Sequence, residues 1–468
     1  MNTCTKRRMR VKWCAVMAAL LLLCQGLFLP ETVLGATLRV KETKVDKYIN
    51  AMGKYSNWDG VTNVHQFLDE KGELCFAYED SEYVGSGKYV KVVKTKKGTP
   101  TGDVIKLKKK GKYVGAVTCD ENGNYYVVTS QPNEEQKPSK NTLFVTKYDA
   151  KGKLKKTVGD NGSSSLASYY DESFYSMRPF EGGNCDVAIN GDYLAVNYAR
   201  TMYSQHQSNS LLLIDLRTME KIKVNSYYNS HSFAQRVVPY QSSFLMASEG
   251  DCYDRAFTIS TVDIANQTCS SENTFHFWVK KGTLDEYNMY ILNDNFAHMG
   301  GLGVFKNDTA IFASTSVKSL NKNAEKQNEQ LFVQIFYPQE DLSKASGYVT
   351  TGKRSGLSGG NGDQKVTNYG VKWLTNYGKE YEIENPQLVM TDKGNAVILF
   401  ERYKNSEYQG VYYMVLNENG KVTKKTTKLA SNVKLNHAEM PVYTNGRVYW
   451  MSNQNYKDRL VICSFSVK

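Results

Sequence analysis

Asn385-Pro386-Gln387-Leu388-Val389-Met390-Thr391-Asp392-Lys393-Gly394-Asn395-Ala396-Val397-Ile398-Leu399-Phe400 sets two apolar runs on either side of a short polar turn. Runs rich in β-branched and aromatic residues, broken by Asp-x-Gly, read as a β-hairpin, because glycine accepts the positive φ that tight turns demand. A polar loop with Glu401, Arg402 and Tyr403 follows, then a third run, Val411 to Leu416. The turn Asn417-Glu418-Asn419-Gly420 then leads into a fourth strand from Lys421. Four antiparallel strands fall within roughly 45 residues, too few to bury two apolar faces unless similar sheets stack against both.

The same order of strand, turn, strand, loop, strand recurs along the chain. Copies open at His65, Val117, Val187, Val237, Gly303, Asn385 and Pro441. Seven such units describe an all-β fold: a seven-bladed β-propeller of four-stranded antiparallel blades. The last copy stops after Leu460-Val461-Ile462-Cys463, one strand short. The alternating segment Thr37 to Val45 is placed to supply that strand, so that the N-terminus closes the last blade and leaves no bare edge. Helix is expected only over Asp46–Met52 and Ser319–Glu329. Gly159–Gly183 reads as an insertion before the third blade, and Ser346–Lys379 as a long connection before the sixth. The string Gly359 to Asp363 resembles one calcium-binding nonapeptide repeat, but such sites need tandem copies, and it reads as a loop.

Residues 1–36 combine a basic start (Lys6 to Lys12), an apolar stretch (Trp13 to Leu29) and the small residues Gly35-Ala36, the pattern of a cleaved signal peptide. The expected organisation is a signal peptide, 1–36, and a single propeller domain, 37–468. The expected location is secreted or extracellular, with attachment at a cell surface as the variant. Losing five basic residues and one acidic residue with the leader takes the formal charge from +12 to +8. A basic surface favours anionic partners such as acidic glycans or phospholipid head groups, and equally serves solubility. Nucleic acid is not expected of an exported chain without a binding module. Six cysteines remain. Cys75, Cys119, Cys185 and Cys463 lie in strand patterns and read as buried thiols, while Cys252 and Cys269 flank one hairpin and form the candidate disulfide. Neither Cys-x-x-Cys nor a Cys/His pair points to zinc, and no metal or other cofactor is expected.

The repeats resemble those of the β-propeller superfamily that includes kelch and tryptophan-aspartate proteins, over most of residues 60–468. The likeness is one of pattern. The Gly-His and Trp-Asp dipeptides and the paired glycines of kelch repeats are not present in register, and the Asp-boxes of sialidases are missing, so no family's active residues carry over. Candidate sites follow from topology instead. In a propeller blade the second-to-third loops and the blade-to-blade connections share one face, and here they are long and rich in Tyr, Arg, Asn and His. His65, His231, His298 and His437 each precede the first strand of a blade. They would ring the mouth of the central channel as a polar or metal seat, or would hydrogen-bond backbone to lock the blades. Arg200, Tyr203 and His206 lie in one such loop, Asp251 and Arg255 in another, and Arg402 in a third. Aromatic faces beside planar donors suit sugar rings, and Arg pairs with carboxylate or phosphate. The expected function is an exported, bacterial-type binding protein for a glycan or anionic surface polymer, monomeric and without turnover. The alternatives are a glycan-cleaving hydrolase or lyase, with Glu79, Asp251 and Glu401 as candidate carboxylates, and a protein-interaction scaffold.

Overall fold

The structure, a computed structural model, describes residues 41–45, 51–52, 59–81, 84–225, 227–250, 256–277, 297–318, 328–345, 347–354, 364–436, 438–453 and 460–467. Among the described residues seven antiparallel sheets are arranged as a propeller ring, beside one two-stranded sheet outside it. Blade one comprises Val64–Leu68, Leu74–Glu79, Tyr89–Lys96 and Thr99–Lys108, and blade two Tyr113–Cys119, Tyr125–Ser130, Leu143–Tyr148 and Leu154–Asp160. Blades three and four start at Cys185–Asn190 and Ser232–Tyr240, blades five and six at His298–Val304 and Tyr381–Met390. Blade seven is Val442–Thr444, Arg447–Asn453 and Leu460–Ser466, completed by Lys41–Val45, which pairs antiparallel with the last of these (Lys41 opposite Ser464, Val45 opposite Leu460). The expected closure by the N-terminal strand is therefore present. First strands of neighbouring blades touch in succession around the ring, and blade seven touches blade one.

Why these sequences stack is visible in the alternation of side chains. In the second strand of blade six, Ala396, Ile398 and Phe400 join the apolar cluster shared with blade five, while Val397 and Leu399 join the one shared with blade seven. Successive strand residues point to opposite sheet faces, so a sheet clasped on both sides must be apolar without interruption. Among the described residues there are seven such clusters, one at each junction between consecutive blades. Each fully buried Ile, Leu or Phe contributes about 1.5–3 kcal/mol against its exposed state. The turns on the opposite face repeat one device. Gly72, Gly123, Gly394 and Gly420 hold φ between +66° and +78°. Each donates its N–H to the carbonyl three residues earlier, at 2.8–3.0 Å. At the hub the blades approach closely. A Cβ on Gly301, in the first strand of blade five, would lie 2.7 Å from Leu388 Cβ of blade six.

Several segments depart from expectation. Ser346–Lys379 is more than a connection: Gln364–Trp373 is the outer strand of blade five, and Tyr348–Arg354 adds a fifth beyond it. The glycine-rich sequence between them hid their pairing. Residues 355–363 lie outside the described residues. Within the insertion 159–183, Ser176–Pro179 pairs with the far half of Tyr193–Met202. Of the two expected helices, Ala51–Met52 instead pairs as strand with Val61–Thr62, and residues 46–50 and 319–327 lie outside the described residues. Cys269 carries a free thiol, contrary to the candidate disulfide, and Cys252 lies outside the described residues. Cys75, Cys185 and Cys463 are buried thiols as expected, whereas Cys119 is only half-buried.

Candidate binding site at the hub

A cavity of about 230 Å³ sits among the first strands of blades one to four and the segment leading into blade seven. Its wall carries charge that the surrounding strands do not need for their own ladders. From blade one, His65 Nδ1 lies 2.7 Å from Glu439 Oε1, and the Gln66 backbone N–H reaches Glu439 Oε2 at 3.3 Å. Gln66 Nε2 donates to the Met440 carbonyl at 2.5 Å. These bonds tie the first and last blades across the closure of the ring. Because a carboxylate only accepts, the Nδ1 of a neutral His65 ring carries the proton and its Nε2 presents a lone pair.

From blade four, Arg236 Nη1 donates to Asp59 Oδ2 at 3.0 Å and to the Gln235 carbonyl at 2.7 Å. Asp59 and Arg236 side chains are 3% and 4% exposed. Blade three supplies Asn184 and Asp186. The Asn184 side chain accepts the Gln235 N–H at 2.7 Å and donates to the Gln235 carbonyl at 3.0 Å, fastening blade three to blade four. Asp186 accepts the N–H groups of Val187 and Val237, both at 2.9 Å. Burial pushes its carboxyl up to about 6, against the pull of Arg236 and the two N–H groups and with the push of Glu439. Three buried polar atoms of the residues lining this wall have no partner among the described residues: His65 Nε2, Gln66 Oε1 and Arg236 Nε. Orphaned buried polar atoms are uncommon in folded proteins and are usually met by water or a ligand.

Of the described residues expected at a site, His65 alone is part of this cavity wall. His206 and His231 come together in the loops of blades three and four, with rings 5.4 Å apart and edge to face. The His231 N–H donates to the Gln207 carbonyl at 2.8 Å, so this pair also clasps two blades. Arg200 is fully buried: its guanidinium donates to Ser208 Oγ, Ser176 Oγ and the Gly162 carbonyl at 2.9–3.0 Å, pinning the insertion 159–183 to blade three. The Tyr203 hydroxyl bonds Asn133 and the Lys137 carbonyl. Arg402 lies in a cage of tyrosines, its guanidinium carbon 4.1, 5.1 and 5.3 Å from the ring centres of Tyr412, Tyr381 and Tyr377. His298 opens blade five, away from the hub cavity. Asp251, Arg255 and His437 lie outside the described residues. Of the candidate catalytic carboxylates, Glu79 pairs with Lys109 at 3.0 Å in blade one. Glu401 in blade six accepts the Leu435 N–H at 2.6 Å and the Tyr403 hydroxyl at 2.9 Å. Burial pushes Glu401 above the usual carboxylate range.

Asp59, Gln66, Asp186, Arg236 and Glu439 escaped the sequence reading. One signal was available. Gln235-Arg236 interrupts the apolar run Phe233 to Val238, and a charged residue inside a buried strand needs a partner or a role.

No family model matches the chain, and no curated protein matches it in sequence. Solved structures with a similar course of the chain are of low identity. A protein of unknown function from Dyadobacter fermentans is 9% identical, with a TM-score of 0.38, over 80% of this chain and 98% of its own. An ulvan lyase bound to a glucuronate–sulfated rhamnose unit is 9% identical, with a TM-score of 0.38, over 89% of this chain and 85% of its own. The Trypanosoma rangeli sialidase bound to the inhibitor DANA is 11% identical, with a TM-score of 0.38, over 80% and 59%. Fold and site together define a seven-bladed β-propeller with a polar, partly unsatisfied hub. Among the described residues no helix is long and apolar enough to cross a membrane.

Proposed function

We propose that residues 37–468, exported behind the leader 1–36, bind a glycan on the face that carries the second-to-third loops, with the hub cavity holding one sugar ring. One observation carries the reading: a ring-sized cavity of about 230 Å³ is lined by His65, Gln66 and Arg236, each of which holds a buried polar atom without a partner among the described residues. A sugar supplies both donors and acceptors from each hydroxyl, on a ring of that order of size. The anionic-polymer variant draws support only from the outer surface, and part of that is taken inward. Lys109, from the basic run 106–110, is buried against Glu79. A glycan array probed with residues 37–468, alongside Gln66→Ala and His65→Ala, tests the reading. Saccharide signals that both variants lose support it. Silence across the array, or binding that both variants keep, overturns it.

A glycan-cleaving activity is the second reading, favoured by the same cavity. A carboxylate-oriented histidine and a carboxyl raised to about 6 are the residue types of general acid–base chemistry. Release of reducing ends from any array-positive polysaccharide, lost in His65→Ala, would move the protein into that class. Binding without turnover keeps it among the binders.

A further inference from the structure

The hub differs in charge from the chain around it. Against a formal +12 for the whole sequence, the cavity wall and its immediate ion pair bring together the carboxylates of Asp59, Asp186 and Glu439 with the single guanidinium of Arg236. Among the described residues no lysine lines the cavity. The unpaired atoms lean the same way: His65 Nε2 and Gln66 Oε1 accept, and only Arg236 Nε–H donates. In the neutral ring His65 Nε2 accepts, because Nδ1–H is committed to Glu439. A ligand here is required to give more hydrogen bonds than it takes, and to do so in a field that is negative overall.

We infer that the hub cavity recognises a hydroxyl-rich ring that is neutral or carries an ammonium group, and discriminates against the same ring bearing carboxylate, sulfate or phosphate. This rests on the glycan reading above and sharpens it. Hydroxyl or ammonium hydrogens meet His65 Nε2, Gln66 Oε1 and the carboxylate edges of Asp186 and Glu439. One ring or hydroxyl oxygen accepts from Arg236 Nε. An added carboxylate would face Asp186 and Glu439 with no free cation in the cavity, since the guanidinium of Arg236 is already engaged by Asp59 at 3.0 Å. Like charges forced together in a partly desolvated site are the ordinary means by which proteins reject a near-isostere. The outer basic surface still attracts acidic polymers over longer range, so an acidic glycan binds only where it offers a neutral or amino sugar to the hub.

The test is a matched series: for each of glucose, galactose and mannose, the parent sugar, its 2-amino form and its uronate, titrated calorimetrically into residues 37–468 at pH 7.5 and 150 mM salt. The expected order is amino sugar, then parent, then uronate, with about tenfold or more between first and last. Gln66→Ala and His65→Ala weaken the amino and parent sugars, and thermal melts check that both variants are folded. Glu439→Gln keeps the shape of the wall and removes one negative charge, and it narrows the amino-to-uronate ratio. Uronates that bind as well as amino sugars, or a ratio unmoved by Glu439→Gln, overturn the inference while leaving the glycan reading intact. If none of the nine sugars and nothing on the glycan array binds, both fall together.

Discussion

Asp59→Asn isolates the ion pair on which the hub is built. Asp59 Oδ1 accepts the Gly60 N–H at 2.8 Å, and Oδ2 accepts Arg236 Nη1 at 3.0 Å. An asparagine there keeps the volume but has only one accepting oxygen. Whichever way the amide turns, an NH₂ group faces either the guanidinium or the Gly60 N–H. The guanidinium, 4% exposed, is left without its counter-charge. Removing one partner of a buried pair costs about 3–5 kcal/mol, most of it the desolvation of the charge left behind. With an unfolding entropy of about 2.1 cal/mol/K per residue over roughly 430 residues, that loss lowers Tm by about 3–6 °C. Replacing both partners by apolar residues, Asp59→Leu with Arg236→Met, removes the stranded charge, and most of the loss returns. Calorimetry at one scan rate, supported by urea titration, reads both. A shift below about 1 °C for Asp59→Asn, or a double variant as unstable as the sum of the two single changes, would refute the claim that the pair acts as a coupled buried unit.

Thr43→Pro sits opposite Ile462 in the closing strand. Proline carries no N–H and locks φ near −65°, which the middle of a five-residue paired strand does not fit, so blade seven is expected to lose its outer strand, lower Tm by several degrees and show concentration-dependent association by light scattering through the bared edge. The Asp186 carboxyl is raised from 3.8 to about 6, so the native state holds a proton that the unfolded chain releases between those values. Stability from this group therefore rises as pH falls from 6 towards 3.8, by about 3 kcal/mol in all, and is absent above 6. Arg236, Glu439, His65, Cys185 and the Val187 and Val237 N–H groups surround it. Asp186→Asn is expected to be more stable than wild type at pH 7 and to lose that advantage by pH 4, in urea midpoints measured across the range. Burial pushes the Cys75, Cys119 and Cys269 thiols up to about 12. Residues 37–468 carrying Cys252→Ser should give no rapid Ellman reaction at pH 8 while folded and five thiols once denatured.

The wheel was legible because its cause is local. Each blade needs two-residue alternation in its strands, and Gly72, Gly123 and Gly394 mark the first turn of three blades in the bare sequence, a positive-φ place that Gln241 and Asp308 take in blades four and five. The closing strand was legible for a related reason: a blade seven one strand short required a donor, and residues 37–45 alternate. Blade five was read incompletely because its outer strand follows a loop of unusual length, so spacing ceased to be a guide. The hub was largely hidden. Its polar residues come from four separate stretches, residues 59–66 and those around 186, 236 and 439, so no one stretch of the sequence shows the site.

The loop side chains that looked like recognition groups show why exposure cannot be inferred from polarity in a fold of this kind. Arg200, Tyr203 and Arg402 are polar and lie beside long loops, yet each is drawn into hydrogen bonds or ring stacks that fix a loop to its blade. A long loop over a rigid sheet loses conformational entropy for every residue it orders, and a buried multivalent donor such as Arg200, with bonds to three segments, offsets that cost at one point. Side chains consumed in this way are not free to meet a ligand. The opposite holds at the axis. Among the described residues His65 Nε2, Gln66 Oε1 and Arg236 Nε have no partner there; Arg200 Nη2 and Arg402 Nε are likewise unpaired, but only the first three belong to residues that line the hub cavity, and that cavity is what singles out the hub.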